Sequence, residues 1–119
     1  MKKPYVSHYS RGGLQPIEFI VSNHLNFPQG NIIKYIIRSP FKGHFDIDIQ
    51  KALDYINFEL ESHSEHSNYV SIYSMSFFCE QNEVHGYLRE TLLQVEEYLI
   101  YNDIKYLEMA KLTLSEFSL

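Results

Sequence analysis

The chain has 119 residues and a mass of 14.1 kDa, which limits it to a single domain, residues 1–119. Apolar residues make up 45% of the sequence, and ten Tyr and eight Phe give it an aromatic content that disordered chains lack. No apolar stretch approaches the roughly 20 residues that a membrane span needs, and no signal peptide is visible behind the basic start. The single cysteine, Cys79, has no partner for an internal disulfide, so we expect a cytoplasmic protein with no membrane partner.

The net charge of −5 is unevenly distributed along the chain. Residues 1–43 carry six cations and one acid, whereas residues 44–119 carry four cations and fourteen acids. The basic third is where an anionic ligand would bind, while the acidic remainder argues against a long nucleic-acid track. A compact anion such as a nucleotide fits this distribution better than a duplex does.

The first helix signals appear directly after the polar N-terminal arm. Pro16 suits the first turn of a helix, and apolar residues follow it at helical spacing as far as Asn23. The helix breakers Asn26 and Pro28 separate this helix from a second one, which is predicted over residues 30–38.

The middle of the chain predicts one long helix and one ambiguous segment. Asp46 or Asp48 can cap a third helix that runs to about Glu61, and the polar residues 62–68 predict a linker. Residues 69–79 fit either a strand or a helix, and a helix is favoured because no second strand is evident to pair with it.

Two further helices are predicted, one from residue 82 to a break at Asn102 and Asp103, the other from residue 104 onward. The predicted fold is therefore an all-α, compact bundle of five to six short helices. Within it we distinguish residues 8–60, which carry the candidate ligand-binding motifs described below, from a helical extension over residues 69–119.

The most informative stretch lies on the second predicted helix. Asn31, Lys34 and Arg38 occupy positions i, i+3 and i+7, so they line one face, and Lys and Arg are the side chains that hold phosphate. Gly30 at the predicted helix start would let an anion approach free backbone N–H groups, and Tyr35 would contact a base or a ribose. The alternative is a solvated basic face on an amphipathic helix.

A second candidate element precedes the first helix. His8, Tyr9 and Arg11 stand ahead of two glycines, so this arm could wrap around a ligand and offer it a polar, an aromatic and a cationic contact. The alternative is a plain glycine turn.

Together these residues resemble the SaV-like family of small phage proteins, often labelled phage nucleotide kinases. The resemblance covers about residues 8–60 and rests on His8-Tyr9, Gly12-Gly13, residues 14–18, Phe27, Gly30-Asn31, Lys34-Tyr35, Arg38, Lys42, residues 48–52 and Tyr55-Ile56. Two features depart from the family pattern: Glu18 replaces an Asp, and the loop between Arg38 and Asp48 is atypical.

The resemblance implies that residues 8–60 are a nucleotide-binding module and, for some members, that they transfer phosphoryl groups to nucleoside monophosphates. The leading hypothesis is that the protein binds or sequesters a nucleotide or a nucleotide-derived immune signal, cyclic or linear, without turnover and without a metal or cofactor. The alternative is a nucleoside monophosphate kinase that uses Mg²⁺ and ATP without a P-loop, which this sequence lacks. A third hypothesis is a protein–protein adaptor that acts through the acidic C-terminal half. The predicted ligand-binding residues are His8, Tyr9, Arg11, Gly30, Asn31, Lys34, Tyr35 and Arg38.

Three other patterns have simpler interpretations. The spacing of Glu59, His63 and His66 could suit a metal, but the surrounding serines favour a solvated linker with exposed histidines. Cys79 follows two phenylalanines and is interpreted as a small buried apolar group. The tyrosines of residues 87–106 predict a self-association face and a homo-oligomer, the alternative being that they close the chain's own core.

Overall fold

All secondary structure in the described part of the chain is helical. The computed structural model describes residues 13–41, 43–63 and 67–118. The six helices in these ranges are α1 (Pro16–Ser22), α2 (Phe27–Arg38), α3 (Phe45–Glu61), α4 (Met75–Gln81), α5 (Gly86–Tyr101) and α6 (Ile104–Ser118). The prediction of an all-α bundle of short helices is confirmed. None of these six helices has the length and apolar character required to cross a membrane.

The start of α2 is set by a reciprocal cap. The Asn26 carboxamide accepts from the Gln29 backbone N–H at 2.9 Å, and Gln29 Oε1 accepts from the Asn26 N–H at 3.1 Å. Pro28 is tolerated because the first N–H groups of a helix have no intrahelical partner. The predicted start at Gly30 is therefore wrong by three residues, since Asn26 and Pro28 begin the helix and do not interrupt it.

Asp46 and Asp48, the predicted caps of the third helix, lie within the helix and do not cap it. α3 begins at Phe45, with His44 in the N-cap position, so Asp46 and Asp48 both lie in its first turn. There they still interact favourably with the helix dipole, and the predicted end at Glu61 is confirmed.

The ambiguous segment over residues 69–79 is helical only at its end. Residues 67–74 are not helical, because the Asn23 side chain bonds both backbone groups of Tyr73, at 2.8 and 3.0 Å. Ser74 then caps α4, which begins at Met75. The prediction of one helix from residue 69 is wrong because a long-range side-chain contact satisfies this backbone.

The next helix also begins later than predicted. Asn82 ends α4, and its carboxamide donates to the carbonyl oxygen of Leu14 at 2.9 Å, which ties the start of α1 to α4. α5 begins only at Gly86. The predicted break is confirmed at Asn102, whose φ of 52° places it in the left-handed region.

The apolar sides of the helices meet in one core. α3 packs along α2 and also against α6, which packs along α5. The rings of Phe19 and Phe78 stack with centroids 4.5 Å apart and join α1 to α4. Since Ile32, Ile33 and Ile36 of α2 are fully buried, the polar side of α2 is left at the surface beside α3.

Candidate functional site

Three cationic side chains meet around one tyrosine ring at the surface between α2 and α3. The Nζ atoms of Lys34 and Lys51 lie 5.1 and 5.2 Å from the centroid of the Tyr35 ring. The guanidinium carbon of Arg38 lies 5.8 Å from the same centroid. All three distances fall within the range of cation–π attraction, and we call Lys34, Arg38 and Lys51 the cation cluster.

An aromatic row leads away from the cation cluster. The Tyr35 ring stacks on Tyr55 of α3 with centroids 6.0 Å apart and planes 9° apart. Tyr55 in turn meets Phe27 edge to face at 5.9 Å. Phe27 is 74% exposed although it is a large apolar residue, so one end of the row faces solvent. Exposed rings of this kind offer a stacking surface to a planar ligand.

One member of the cation cluster has an acidic partner. The Nε atom of Arg38 lies 3.4 Å from Oδ2 of Asp48, which is completely buried. Neither Lys34 nor Lys51 forms an ion pair with any residue in the described ranges. The two lysines therefore keep their positive charge available to a ligand.

Gly30 allows α1 and α2 to pack closely, a role that the sequence did not predict. Its N–H donates to the carbonyl oxygen of Asn26 at 2.9 Å, so the free N–H expected at this position is absent. A Cβ at Gly30 would lie 2.8 Å from Cγ2 of Ile20, which means that only glycine lets α1 approach α2 this closely. Gly30 therefore shapes the site through helix packing.

A cleft of about 530 Å³ lies between α1 and α2, next to the cation cluster. Its wall is mainly apolar and includes the exposed residues Ile17 and Val21. Asn31 and Lys34 supply polar groups at its edge, although the Asn31 carboxamide already donates to the Phe27 carbonyl oxygen at 2.9 Å. Lys34 thus borders both the cleft and the Tyr35 ring.

The predicted residues of α2 fall into two groups in the structure, although the sequence predicted one binding face. Lys34, Tyr35 and Arg38 come together, whereas Gly30 and Asn31 face the α1–α2 cleft. His8, Tyr9 and Arg11 lie outside the described residues, as does Lys42.

Lys51 and Tyr55 belong to this candidate site but were not among the predicted ligand-binding residues. Both lie on α3, four residues apart and hence on one face of that helix. Their spacing was a usable signal, but only the pairing of α3 with α2 brings Lys51 to the Tyr35 ring.

A second polar cluster lies at the far end of the aromatic row. The buried carboxylate of Glu59 accepts hydrogen bonds from Gln29 Nε2 and from the Tyr98 hydroxyl, both 2.8 Å long and both to Oε2. His63 Nδ1 lies 3.0 Å from the Tyr98 hydroxyl oxygen. Since the single hydroxyl proton of Tyr98 is given to Glu59, His63 Nδ1 acts as the donor in this contact. The pKa of Tyr98 lies well above its ordinary range. Burial is the larger cause, and the neighbouring Glu59 carboxylate is the second.

This polar cluster corrects two sequence interpretations. His63 is half-buried against Tyr98 and is not an exposed linker histidine, while His66 lies outside the described residues. Tyr98 is buried in the chain's own core and is unavailable to a second subunit. Self-association remains a prediction for the exposed Tyr101, whose ring contacts Tyr106 at 5.5 Å.

Comparison with known proteins identifies one similarity. Residues 1–57 match the model of a family described as a protein of unknown function, DUF3310. The matched span contains the whole cation cluster and its aromatic row, whereas Glu59 and Tyr98 lie beyond it. Neither a curated protein nor a solved structure matches the chain.

Proposed function

We propose that this protein binds a nucleotide or a nucleotide-derived small molecule at the surface between α2 and α3 and holds it without turnover. The observation that carries the proposal is the convergence of Lys34, Lys51 and Arg38 on the ring of Tyr35. Three like charges repel one another, so an anion placed among them gains attraction from all three and relieves that repulsion. An adjacent aromatic row suits the base of the same molecule.

Each residue has a distinct role in this proposal. Lys34 and Lys51 act as point charges on phosphate oxygens, and Arg38 turns the free side of its guanidinium to the same group while Nε stays toward Asp48. Phe27, at the exposed end of the row, offers its face to a ring of the ligand.

The proposed biological use follows from the resemblance to small phage proteins. A phage protein that binds a nucleotide tightly and leaves it unchanged can remove an immune signal from the host cytoplasm. A nucleoside monophosphate kinase acting on the same site is the second candidate, and it would require ATP and Mg²⁺ in addition.

One experiment separates these functions. Purified protein is incubated with mono-, di-, tri- and cyclic nucleotides in the presence of Mg²⁺ and ATP, freed of unbound ligand, denatured by heat and analysed by chromatography. A nucleotide that is retained and then released unchanged supports sequestration. Conversion of a monophosphate to a diphosphate identifies the kinase, and retention of no nucleotide overturns the proposal and favours an adaptor.

Lysine variants locate the site in the same assay. We expect Lys34→Ala and Lys51→Ala each to weaken nucleotide binding by about 10-fold, and the double variant by about 100-fold, because each removes a charged hydrogen bond. Lys105→Ala is the matched control, since its Nζ also lies 5.0 Å from a tyrosine ring, that of Tyr106, but belongs to no cluster. Equal effects at Lys105 and Lys51 would place the ligand elsewhere.

A further inference from the structure

The surface between α2 and α3 continues from the cation cluster to a second cavity. Lys51, Tyr55, Phe58 and Ser62 follow one another along the same side of α3 at helical spacing. The last two line a cavity of about 370 Å³, together with Phe27 and Glu59. Lys51 and Glu59 lie eight positions apart on α3, which is about 12 Å along the helix axis.

The two ends of this surface have opposite chemistry. Lys and Arg side chains surround Tyr35, whereas no described residue that lines the cavity is a Lys or an Arg, and Glu59 contributes a carboxylate. A phosphate is attracted to the first end and repelled from the second. The cavity instead suits a group that donates hydrogen bonds.

Of the two carboxylate oxygens of Glu59, Oε1 is the one that would accept from such a group. Gln29 and Tyr98 both donate to Oε2 of Glu59, so Oε1 is left without either of these donors. Phe27 and Phe58, which are 74% and 56% exposed, provide aromatic faces at the cavity wall. A carboxylate that accepts from an amino group, beside rings that stack, is a common arrangement for recognising a nucleobase.

We propose that the Glu59 cavity receives the base of the ligand and prefers a base with an exocyclic amino group. This inference rests on the proposed function, because the phosphate of the same ligand would lie at the cation cluster. Adenine, cytosine and guanine each offer an amino donor to Oε1. Uracil has no exocyclic amino group, and its N3–H is flanked by two carbonyl oxygens that the carboxylate repels.

The two ends are tested separately with partial ligands, observed by NMR on the side chains of His63, Tyr98 and Tyr35. Adenosine and cytidine, which lack phosphate, are expected to shift His63 and Tyr98, while uridine shifts them at least 10-fold more weakly at the same concentration. Ribose 5-phosphate, which lacks a base, is expected to shift Tyr35 and leave His63 and Tyr98 unchanged.

A variant at the cavity wall provides the second measurement. Phe58→Ala is expected to weaken binding of adenosine monophosphate by about 10-fold while leaving the affinity for ribose 5-phosphate unchanged. The matched control is Ile100→Ala, since Ile100 is 51% exposed on α5 and lines none of the cavities described above. Phe58 belongs to neither the core nor the Glu59 hydrogen bonds, so this variant is expected to fold.

The possible failures are distinguishable. Nucleotides could bind while Phe58→Ala leaves their affinity unchanged and the nucleosides do not shift His63 or Tyr98. In that case the base lies elsewhere, and only this inference is overturned. If amino-bearing bases and uracil bind equally, the preference assigned to Glu59 is wrong. If ribose 5-phosphate and every nucleotide fail to bind, the proposed function fails together with the inference.

Discussion

Nε of Arg38 lies 3.4 Å from the carboxylate of Asp48, and this carboxylate is completely buried while the arginine side chain is 31% exposed. Neither carboxylate oxygen of Asp48 has a hydrogen-bond partner within residues 13–41, 43–63 and 67–118. The pair is therefore asymmetric, because only the arginine can turn to water when its partner is removed. Arg38 is the closest cation to this buried charge among the described residues.

The asymmetry predicts unequal effects of removing either partner. Arg38→Ala leaves a buried carboxylate uncompensated, and we expect it to lower the free energy of unfolding by about 2–3 kcal/mol. Asp48→Asn leaves a solvated arginine, and we expect a loss of about 1 kcal/mol or less. Urea unfolding at neutral pH measures both effects. Equal losses for the two variants, or a larger loss for Asp48→Asn, would contradict this account.

The close approach of α1 to α2 predicts the effect of a methyl group at Gly30. Gly30→Ala gains about 1 kcal/mol of helix propensity, but its Cβ would lie 2.8 Å from Ile20 Cγ2. Overpacking of this kind costs about 1–3 kcal/mol, so we expect net destabilisation of about 1 kcal/mol.

A double variant isolates the contact at Gly30. Ile20→Ala removes the Cγ2 methyl group that the new Cβ would meet. In that background, Gly30→Ala should leave the free energy of unfolding unchanged or raise it. Thermal unfolding of the four proteins in the cycle measures the coupling. If the two changes in unfolding free energy are strictly additive, the contact between Ile20 and the new Cβ is not the cause of the destabilisation.

The Tyr98 hydroxyl predicts a pH dependence of stability. Burial and the Glu59 carboxylate raise the pKa of Tyr98 in the folded state, so folding favours the neutral phenol. Its contribution is complete below about pH 10, the ordinary value, and is lost as the pH rises above it. We expect Tyr98→Phe to lower the unfolding free energy by about 1.5–3 kcal/mol at neutral pH, because a hydrogen bond to a buried carboxylate is lost.

The difference in unfolding free energy between the wild type and Tyr98→Phe should therefore become smaller as the pH rises above about 10. Urea unfolding across this range measures it. Tyr101→Phe is a suitable control because this tyrosine is exposed, and it should follow the wild-type curve. A difference that widens with pH would mean that Glu59 does not hold the phenol neutral.

Cys79 is predicted to be unreactive in the folded protein. Burial, opposed by Arg89 and assisted by Glu96, raises the pKa of its thiol to about 12. Very little thiolate is then present at neutral pH, and access requires local opening. We expect a thiol reagent to modify folded Cys79 at least 100-fold more slowly than the urea-unfolded chain. Rapid modification of the folded protein would contradict the buried position.

The same thiol contributes to alkaline instability. Because its folded pKa is raised, its contribution is complete below about pH 8.5, the ordinary value, and is lost as the pH approaches 12. Cys79→Ala should therefore flatten the decline of stability that begins above about pH 8.5. An unchanged slope would assign the whole alkaline decline to the tyrosines.

Local pattern predicted a large part of the fold and some of the site. The end of α3 at Glu61 and the break at Asn102 were both predicted from local pattern, and the structure confirms both. Lys34, Tyr35 and Arg38 could be grouped because they lie within one turn of one another. Each of these inferences depends on residues close in sequence, for which helix geometry fixes the distances.

Contacts between distant segments decided the rest. Asn23 holds Tyr73 out of a helix across 50 residues, and no local propensity encodes that bond. Lys51 reaches Tyr35 only because α3 packs along α2, and Glu59 meets Tyr98 across 39 residues only in the folded core. The sequence by itself determined the all-α class, the approximate positions of most helices and the basic helix face, since these follow from periodicity and charge. Tertiary structure alone decided which cations share a ring and which carboxylates are buried, because both depend on how the helices pack.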